Sequence, residues 1–318
     1  MKLPLASIFI AAYRTRPEHL HAAIASALAQ TERDIDVQVA DDSPDDGLGA
    51  VCAAFADSRL HYTNNRPALG PAGNHWQGLA RARGEFVAIL NHDDLLAPGF
   101  VQTLAAALRA HPEAALACCD HWVCDSAGQV QAALSDAVSA RWGRSTLAAG
   151  LHQPFVHLVL AQSLPLAMGA LLRRSALPFE LLGQGDSAQA GPAYDLWLAY
   201  LMARSDNAVC YVPQRLSSWR DHADSLTQQR SADTLLGAAL CWQTMARDPA
   251  CAAWRSAAQA RAAAAWADCA LHALRGRGTA RATHATAQRQ PRHQALASLR
   301  ARPSWRGLAA LAWASVQR

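Results

Sequence analysis

The sequence predicts an α/β fold: a mostly parallel sheet with helices on both faces, followed by a helical C-terminal region. Over about the first 120 residues, short apolar runs alternate with helical patterns. The chain of 318 residues is 51% hydrophobic and 17% charged, so it can bury a large core. From residue 231 onward it is rich in alanine, with breaks at Gly276, Gly278, Pro291 and Pro303.

The predicted elements follow in order along the chain. Four strands are predicted at 7–12, 35–40, 59–63 and 85–90, with helices at 15–30, 48–56 and 72–82 between them. Thr15 and Glu18 have the spacing of a capping box at the first helix. Continuous apolar strands separated by helices indicate a parallel sheet covered on both faces. Beyond residue 115 the pattern is mixed, with strands expected at 115–125, 166–174 and 208–213, a helix at 194–204 and a loop at 183–191.

Several classes of protein are disfavoured by the sequence. No run approaches the roughly 18 apolar residues of a membrane span. Residues 7–12 fit a core strand better than a signal peptide. The eight cysteines form no CxxC pair, so we expect reduced thiols and a cytoplasmic protein.

The net charge of +4 is unevenly distributed. No acidic residue follows Asp268, whereas nine arginines do. Two interpretations stay open: a basic tail that contacts anionic lipid at the inner face of the membrane or another polyanion, or solvated helix faces in an Arg/Ala-rich segment. The last helix, at 303–318, either rests on a membrane or packs on the domain or in a homodimer. No nucleic-acid partner is expected.

Polar side chains follow three of the predicted strands. Tyr13, the pair Asp41/Asp42 and the run Asn91–Asp94 all stand where a strand ends. In open α/β sheets, ligands bind beyond the carboxyl ends of the strands. These clusters therefore predict one binding site at that edge of the sheet.

The adjacent carboxylates of Asp93 and Asp94 need an explanation. At about 4 Å and an effective dielectric near 20, two such charges repel by roughly 4 kcal/mol. A cation, a shared proton or open solvent would relieve this. Mg²⁺ or Mn²⁺ takes carboxylate oxygens and bridges to phosphates, so a divalent ion with a diphosphate is one interpretation. A polar turn before the helix that follows Pro98 is the other.

The pair Asp41/Asp42 and Tyr13 also have two interpretations. The carboxylates either form an Asx-turn or accept a hydrogen bond from a nucleobase N–H. Tyr13 either stacks on that base or is a core aromatic.

Several segments together resemble family 2 glycosyltransferases with the GT-A fold. Residues 7–47 and 65–101 resemble the nucleotide-sugar-binding half, and 168–183, 194–213 and 219–227 are similar to the acceptor-side half, in the same order. The resemblance covers roughly residues 5–228. It implies domains at 1–228 (halves 1–120 and 121–228) and 229–318.

The resemblance implies transfer of a sugar from a UDP- or dTDP-sugar, with inversion, to a glycan or lipid-linked acceptor in surface polysaccharide synthesis. The family's D-x-D-D motif becomes Asn91-His92-Asp93-Asp94, and its R-x-H becomes Arg220 and His222. It assigns nucleotide-sugar binding to Ala11, Ala12, Tyr13, Arg14, Asp41, Asp42, Asn74, Asn91, His92 and Asp93, and Mn²⁺ or Mg²⁺ binding to Asp93, Asp94 and His222.

An inverting displacement needs a carboxylate to take the acceptor's proton. The family's ED pair is replaced here by Pro192-Ala193. Asp195 is the first candidate base and Asp186 the second, although the helix dipole could also explain Asp195 structurally. Because the ED pair is missing and Asn91 replaces an acid, a catalytically impaired nucleotide-sugar-binding scaffold is the alternative function. A nucleotidyltransferase is set aside, since no Gly-rich loop follows the first strand.

Overall fold

The computed structural model describes residues 3–45, 47–222 and 231–276. Its centre is one nine-stranded sheet. The strands are β1 Ala6–Ala12, β2 Ile35–Asp41, β3 Leu60–Asn64, β4 Phe86–Asn91, β5 Leu95–Leu96, β6 Ala114–Cys124, β7 Gly150–His152, β8 Ala170–Arg173 and β9 Ala208–Arg220. The helices are α1 Pro17–Leu28, α2 Gly47–Ala53, α3 Gly70–Arg81, α4 Phe100–Ala110, α5 Ala132–Arg141, α6 Val156–Ala161, α7 Leu166–Gly169, α8 Tyr194–Ala203, α9 Ala232–Arg247 and α10 Arg255–Gly276.

The strand order is β3-β2-β1-β4-β8-β6-β9-β5, with β7 paired to β9. β1 to β4 run parallel, as do β6 and β9, while β8 is antiparallel to both of its neighbours. The predicted fold, a mostly parallel sheet flanked by helices with a helical region after it, is confirmed.

Each face of the sheet carries its own apolar core. One core packs α1, α2 and α4 against β1, β2 and β4. The other joins α3, α6 and α8 to the C-terminal helices α9 and α10. On this second face Gly78 lets α3 approach β1, because a Cβ there would lie 2.2 Å from the Phe9 ring. That contact places α3 beside the carboxyl ends of the strands.

The C-terminal helices pack directly on α8. Trp197 Nε1 donates a hydrogen bond of 2.9 Å to Gly237 O. Gly237 is required for this approach, since a Cβ would lie 2.2 Å from Ala190 O. Asp248, just after α9, accepts hydrogen bonds from Tyr200 and Arg204. The predicted domain boundary at 228/229 stays a prediction.

Three local predictions differ from the structure. Helix α1 begins at Pro17 after Arg16, and no side chain caps it, so the capping box of Thr15 and Glu18 is wrong. Pro is well suited to the first helical position, which sets the start two residues later. The strand predicted at 166–174 is interrupted: Ala167 forms an isolated parallel bridge with Ile89, Met168 has a left-handed φ of 79°, and the continuous strand starts at Ala170.

The third difference concerns β9, which continues to Arg220 instead of ending at 213. Its register against β6 shifts between Val212 and Arg215, so Pro213 falls in a bulge where the missing N–H costs no ladder bond. The extension carries Arg220 to the same edge of the sheet as β4.

The predicted role of the basic tail lies outside the described residues. Within the part that the structure describes, no helix is long and apolar enough to cross a membrane. All eight cysteines are free and buried.

Candidate functional site

Strand register assembles the polar clusters at one edge of the sheet. Ala12 on β1 pairs with Asp41 on β2, and Asp41 pairs in turn with Asn64 on β3. On the other side, Ala11 pairs with Asn91 on β4. We call this edge the rim. Ala11 and Ala12 themselves are buried in it.

Tyr13 and Arg14 leave β1 at the rim. Tyr13 is 53% exposed, so it is not a core aromatic. Arg14 has a left-handed φ of 47°, and its N–H donates to Ser43 Oγ at 2.8 Å. The Arg14 guanidinium lies 5.3 Å from the Tyr13 ring centroid. The turn is therefore fixed by a backbone hydrogen bond, while the Tyr13 ring is open to a ligand.

Asp41 is fully buried and shapes the loop after β2. Its Oδ1 accepts a hydrogen bond from Ser43 N (2.8 Å), the Asx-turn of one interpretation, and its Oδ2 accepts one from Tyr62 Oη (2.9 Å). Burial and the Asp41 carboxylate together raise the pKa of Tyr62 to about 12.

Asp42 connects two loops of the rim. Its Oδ1 accepts from Asn65 Nδ2 at 2.9 Å and its Oδ2 from Leu69 N at 3.1 Å. Asn65 Nδ2 also donates to Asn74 Oδ1, and Asn74 Nδ2 donates to Ala40 O. Asn74 on α3 thus lies in the network that holds the Asp42 loop.

Asp93 and His222 meet where β4 and β9 end. His222 Nε2 lies 2.9 Å from Asp93 Oδ2, and His92 Nδ1 lies 4.0 Å from Asp93 Oδ1. The Nδ1 atoms of both histidines are buried without a hydrogen-bond partner. Burial lowers the pKa of His92, and the Asp93 charge opposes that shift. Asp93 therefore contacts the His222 ring, and each of the two histidines keeps one ring nitrogen without a hydrogen-bond partner.

Asp94 is 1% exposed and has different partners from Asp93. Its Oδ1 accepts from Arg220 N at 2.9 Å, and its Oδ2 accepts from Asn91 Nδ2 at 2.8 Å. Burial and the charge of Asp93 raise the pKa of the Asp94 carboxyl, while these two N–H donors oppose the rise. Both Asp94 oxygens are therefore already engaged inside the protein.

The two candidate bases lie on the side of the site that α9 covers. Asp195, half-buried in the first turn of α8, accepts a hydrogen bond from Leu196 N at 2.7 Å. Burial raises the pKa of Asp195. Burial and the charge of Asp195 together raise the pKa of Cys241 on α9. Asp186 is exposed and accepts a 2.7 Å hydrogen bond from Thr244 Oγ1 on α9.

The donor set at Asp93 fits a divalent ion with few protein ligands. Among the described residues no group of three or more His, Cys, Asp or Glu side chains is arranged to hold a metal by itself. Asp93 and His222 supply one carboxylate and one imidazole, and Mg²⁺ or Mn²⁺ usually completes its shell with phosphate oxygens and water. The unpartnered Nδ1 of His222 is consistent with a site completed by a ligand.

Sequence reasoning missed several residues of the rim. Asn65 follows β3, a strand end at which no site residue was predicted. His19 on α1 is buried with its ring 5.3 Å from that of His222, and burial lowers its pKa. Tyr194, next to Asp195, reaches Asn91 across 103 positions of sequence, for which the chain offers no local signal.

Comparison with known families identifies the domain that this rim belongs to. Residues 7–147 match the family described as Glycosyl transferase family 2. These residues belong to glycosyltransferase family 2. The predicted family is thereby confirmed for this part of the chain.

Two relatives and two solved structures extend this result. WfaP of Escherichia coli, a UDP-Glc:alpha-D-GlcNAc-diphosphoundecaprenol beta-1,3-glucosyltransferase, is 35% identical over 92 residues, which are 29% of this chain and 36% of that protein. A GalNAc(5)-diNAcBac-PP-undecaprenol beta-1,3-glucosyltransferase of Campylobacter jejuni is 34% identical over 105 residues, which are 32% of this chain and 34% of that protein. Each match therefore spans about a third of the relative.

The structural likeness covers 98% of this chain. TarS of S. aureus, residues 1–349 in complex with UDP, has a TM-score of 0.60 at 15% identity over 87% of its chain. The mannosyltransferase PcManGT of Pyrobaculum calidifontis, in complex with GDP-Man and Mn²⁺, has a TM-score of 0.54 at 17% identity over 88% of its chain. At these identities the likeness establishes the fold, which is GT-A with an added helical region.

Proposed function

We propose that this chain transfers a sugar, with inversion, from a nucleoside-diphosphate sugar to a hydroxyl of a glycan or lipid-linked acceptor. The observation that carries the proposal is the pairing of Asp93 with His222 at the rim of a family 2 domain, the same edge of the sheet at which the ring of Tyr13 is exposed. A carboxylate and an imidazole at the end of β4 suit a diphosphate with its divalent ion.

The nucleotide is proposed to bind at the carboxyl ends of β1 and β2. Tyr13 offers its exposed ring for stacking on a uracil or thymine base, and Arg14 lies beside that ring to meet a phosphate. Asp41, Asp42 and Asn74 would shape the loops around the base, since the two carboxylates accept hydrogen bonds within those loops and the Asn74 amide nitrogen donates one to Ala40 O. The UDP in the TarS complex supports a uridine nucleotide as the first donor to test.

The divalent ion is proposed to be held by Asp93 and His222, with Asn91 and His92 beside them. Bound there, Mn²⁺ or Mg²⁺ would act as a Lewis acid that stabilises the departing diphosphate. Because its two oxygens already bond Asn91 and Arg220, we propose that Asp94 orients this turn instead of supplying a ligand.

The acceptor hydroxyl must lose a proton as the new bond forms. We propose Asp195 as the base, because burial raises its pKa and a more basic carboxylate takes a proton more readily. Asp186 is the second candidate, although its bond to Thr244 makes it less available.

The acceptor class is proposed from the relatives. Both WfaP and the Campylobacter enzyme are named for sugars linked through a diphosphate to undecaprenol. A lipid-linked glycan therefore fits best, in the synthesis of a surface polysaccharide. Peripheral membrane contact and a homodimer remain predictions.

The test is a thermal-shift panel of UDP, dTDP and GDP and their sugars, with and without Mn²⁺, followed by donor hydrolysis assays. A ligand that binds the native state raises the melting temperature by mass action, so a true donor should give a shift that Mn²⁺ enlarges. No shift with any nucleotide would refute the proposal.

The alternative is a protein of the same fold that binds nucleotide sugar without turning it over. The absence of the ED pair before Asp195 favours it. Binding of UDP-sugar without hydrolysis or transfer to any lipid-linked acceptor would support this alternative. The variants Asp195→Asn and Asp186→Asn show which of the two residues is the base. Loss of the true base should lower kcat by a factor of roughly 10²–10⁴ with little change in donor affinity.

A further inference from the structure

Asn91 has both ends of its amide engaged. Its Oδ1 accepts a hydrogen bond from Tyr194 Oη at 2.9 Å, and its Nδ2 donates to Asp94 Oδ2 at 2.8 Å. The contacts continue through Asp94 Oδ1, which accepts from Arg220 N, and through Arg220 Nε, which donates to Asp93 O at 2.8 Å. We call Tyr194, Asn91, Asp94 and Arg220 the clamp.

The clamp joins three elements around the turn that carries Asp93. Asn91 ends β4, Arg220 ends β9 and Tyr194 begins α8. Arg220 also donates from Nη1 to Asp125 O and Ser126 O, so its side chain is held at both sides. The turn that carries the Asp93 carboxylate is thus held by hydrogen bonds to Asn91 and Arg220.

Tyr194 is itself fixed. It is 8% exposed and its ring stacks on that of His75, with centroids 3.5 Å apart and planes at 16°. The His75 ring is anchored in α3 by a 2.7 Å contact of Nδ1 with Pro71 O. The Tyr194 hydroxyl therefore reaches Asn91 from a rigid position.

We propose that Asn91 is a positioning residue that holds Asp93 in place, and not a ligand of the metal or the diphosphate. This inference rests on the proposed function and sharpens it. Position 91 must accept a hydrogen bond from Tyr194 and donate one to Asp94. An amide does both, whereas an ionised carboxylate only accepts. Asn91 is then an adaptation to this clamp, and not a weakened version of an acidic ligand.

The two roles of position 91 predict opposite effects of Asn91→Asp. If residue 91 were a ligand, a second carboxylate would strengthen Mn²⁺ binding. In the clamp, that carboxylate would face the Asp94 carboxylate at 2.8 Å, without the N–H that now joins them. The turn would then shift, and Mn²⁺ binding with UDP should weaken roughly tenfold, the equivalent of about 1.4 kcal/mol.

The experiment measures Mn²⁺ binding to the full chain in the presence of UDP by the EPR signal of free Mn²⁺. The variants are Asn91→Asp and Tyr194→Phe, and each is first checked for a cooperative melting transition. Gln102→Glu on α4 is the matched control for added charge, because Thr31 Oγ1 donates to its Oε1 and a Glu accepts the same bond. We expect weaker binding in both clamp variants and an unchanged value in the control.

The outcomes separate this inference from the proposed function. Tighter Mn²⁺ binding in Asn91→Asp, or wild-type binding in Tyr194→Phe, would overturn the positioning role while leaving the glycosyltransferase proposal intact. If the wild-type chain binds neither UDP nor Mn²⁺ with UDP, both fail together. An Asn91→Asp/Tyr194→Phe double variant no weaker than the worse single variant would support the shared clamp, whereas additive losses would contradict it.

Discussion

His222 Nε2 lies 2.9 Å from Asp93 Oδ2, although 129 positions separate the two residues in the chain. The aspartate lies just after β4 and the histidine just after the extended β9, so the sheet brings together two residues from distant segments. The half of the chain outside the match at 7–147 therefore contributes directly to the candidate metal site.

Asp93→Asn should remove the Mn²⁺-dependent part of the UDP thermal shift. The substitution keeps the shape and deletes the charge that a divalent ion requires. The measurement is the melting temperature with UDP, with and without Mn²⁺. Asp57→Asn, which removes a carboxylate paired with Arg59 before β3, is the control and should retain the full shift. An unchanged metal effect in Asp93→Asn would mean that the ion binds elsewhere.

Tyr13→Ala should weaken nucleotide binding by roughly 5- to 150-fold, since stacking of an aromatic side chain on a base contributes about 1–3 kcal/mol. Calorimetric titration with UDP measures the loss. Because the side chain is 53% exposed, the free energy of unfolding should change little. Tyr13→Phe keeps the ring and should bind nearly as the wild type does. Equal affinity in all three proteins would place the base away from this residue.

Asp248→Asn should destabilise the chain by about 1–3 kcal/mol at neutral pH, as expected when hydrogen bonds to a buried carboxylate are lost. Burial raises the pKa of Asp248, but the hydrogen bonds from Arg204 and Tyr200 outweigh it and leave the pKa below its usual value. This stabilisation is present above the unfolded pKa near 3.9 and is lost as the pH falls through the lower folded pKa.

The difference between wild type and Asp248→Asn should therefore be constant from about pH 7 to 5 and shrink below about pH 4. Urea unfolding at several pH values measures it. Asp206→Asn, in the exposed loop before β9, is the control and should stay within about 0.5 kcal/mol of wild type. A difference independent of pH would mean that the Asp248 charge contributes nothing.

Gly237→Ala should destabilise the chain by about 1–3 kcal/mol, the usual effect of forcing a methyl group into a packed site. Its Cβ would lie 2.2 Å from Ala190 O, a backbone atom that cannot turn aside. Ordinarily an alanine would stabilise a helix here by about 1 kcal/mol. Gly99→Ala is the control, because the nearest atom to its Cβ would be Thr103 Oγ1 at 3.7 Å. A more stable Gly237→Ala protein would contradict the close packing of α9.

The first four strands were predictable because their signal is local. Apolar runs such as 7–12 and 85–90 alternate with helical patterns, and parallel pairing then follows from the connections. The same rule placed Tyr13, Asp41 and Asn91 at one edge, as the register of β1, β2 and β4 now has them.

The clamp and the bulge of β9 were not predictable in this way. Asn91 and Tyr194 are 103 positions apart, and nothing near either residue in sequence indicates the other. The strand was expected to end at Pro213, which has no N–H to donate. In the structure the pairing of β9 with β6 shifts register at this point, so no ladder hydrogen bond is lost there. The different partners of Asp93 and Asp94 depend on such distant contacts, so two adjacent aspartates could not be told apart from sequence alone.

The contact of α9 with α8 limits where the polypeptide can be truncated. Trp197 and Trp242 share one core, so shortening the protein at residue 228 would strip the cover from a tryptophan that is 1% exposed. A fragment ending there should be prone to aggregate, so a stable form of residues 1–228 should require α9 and α10 as well.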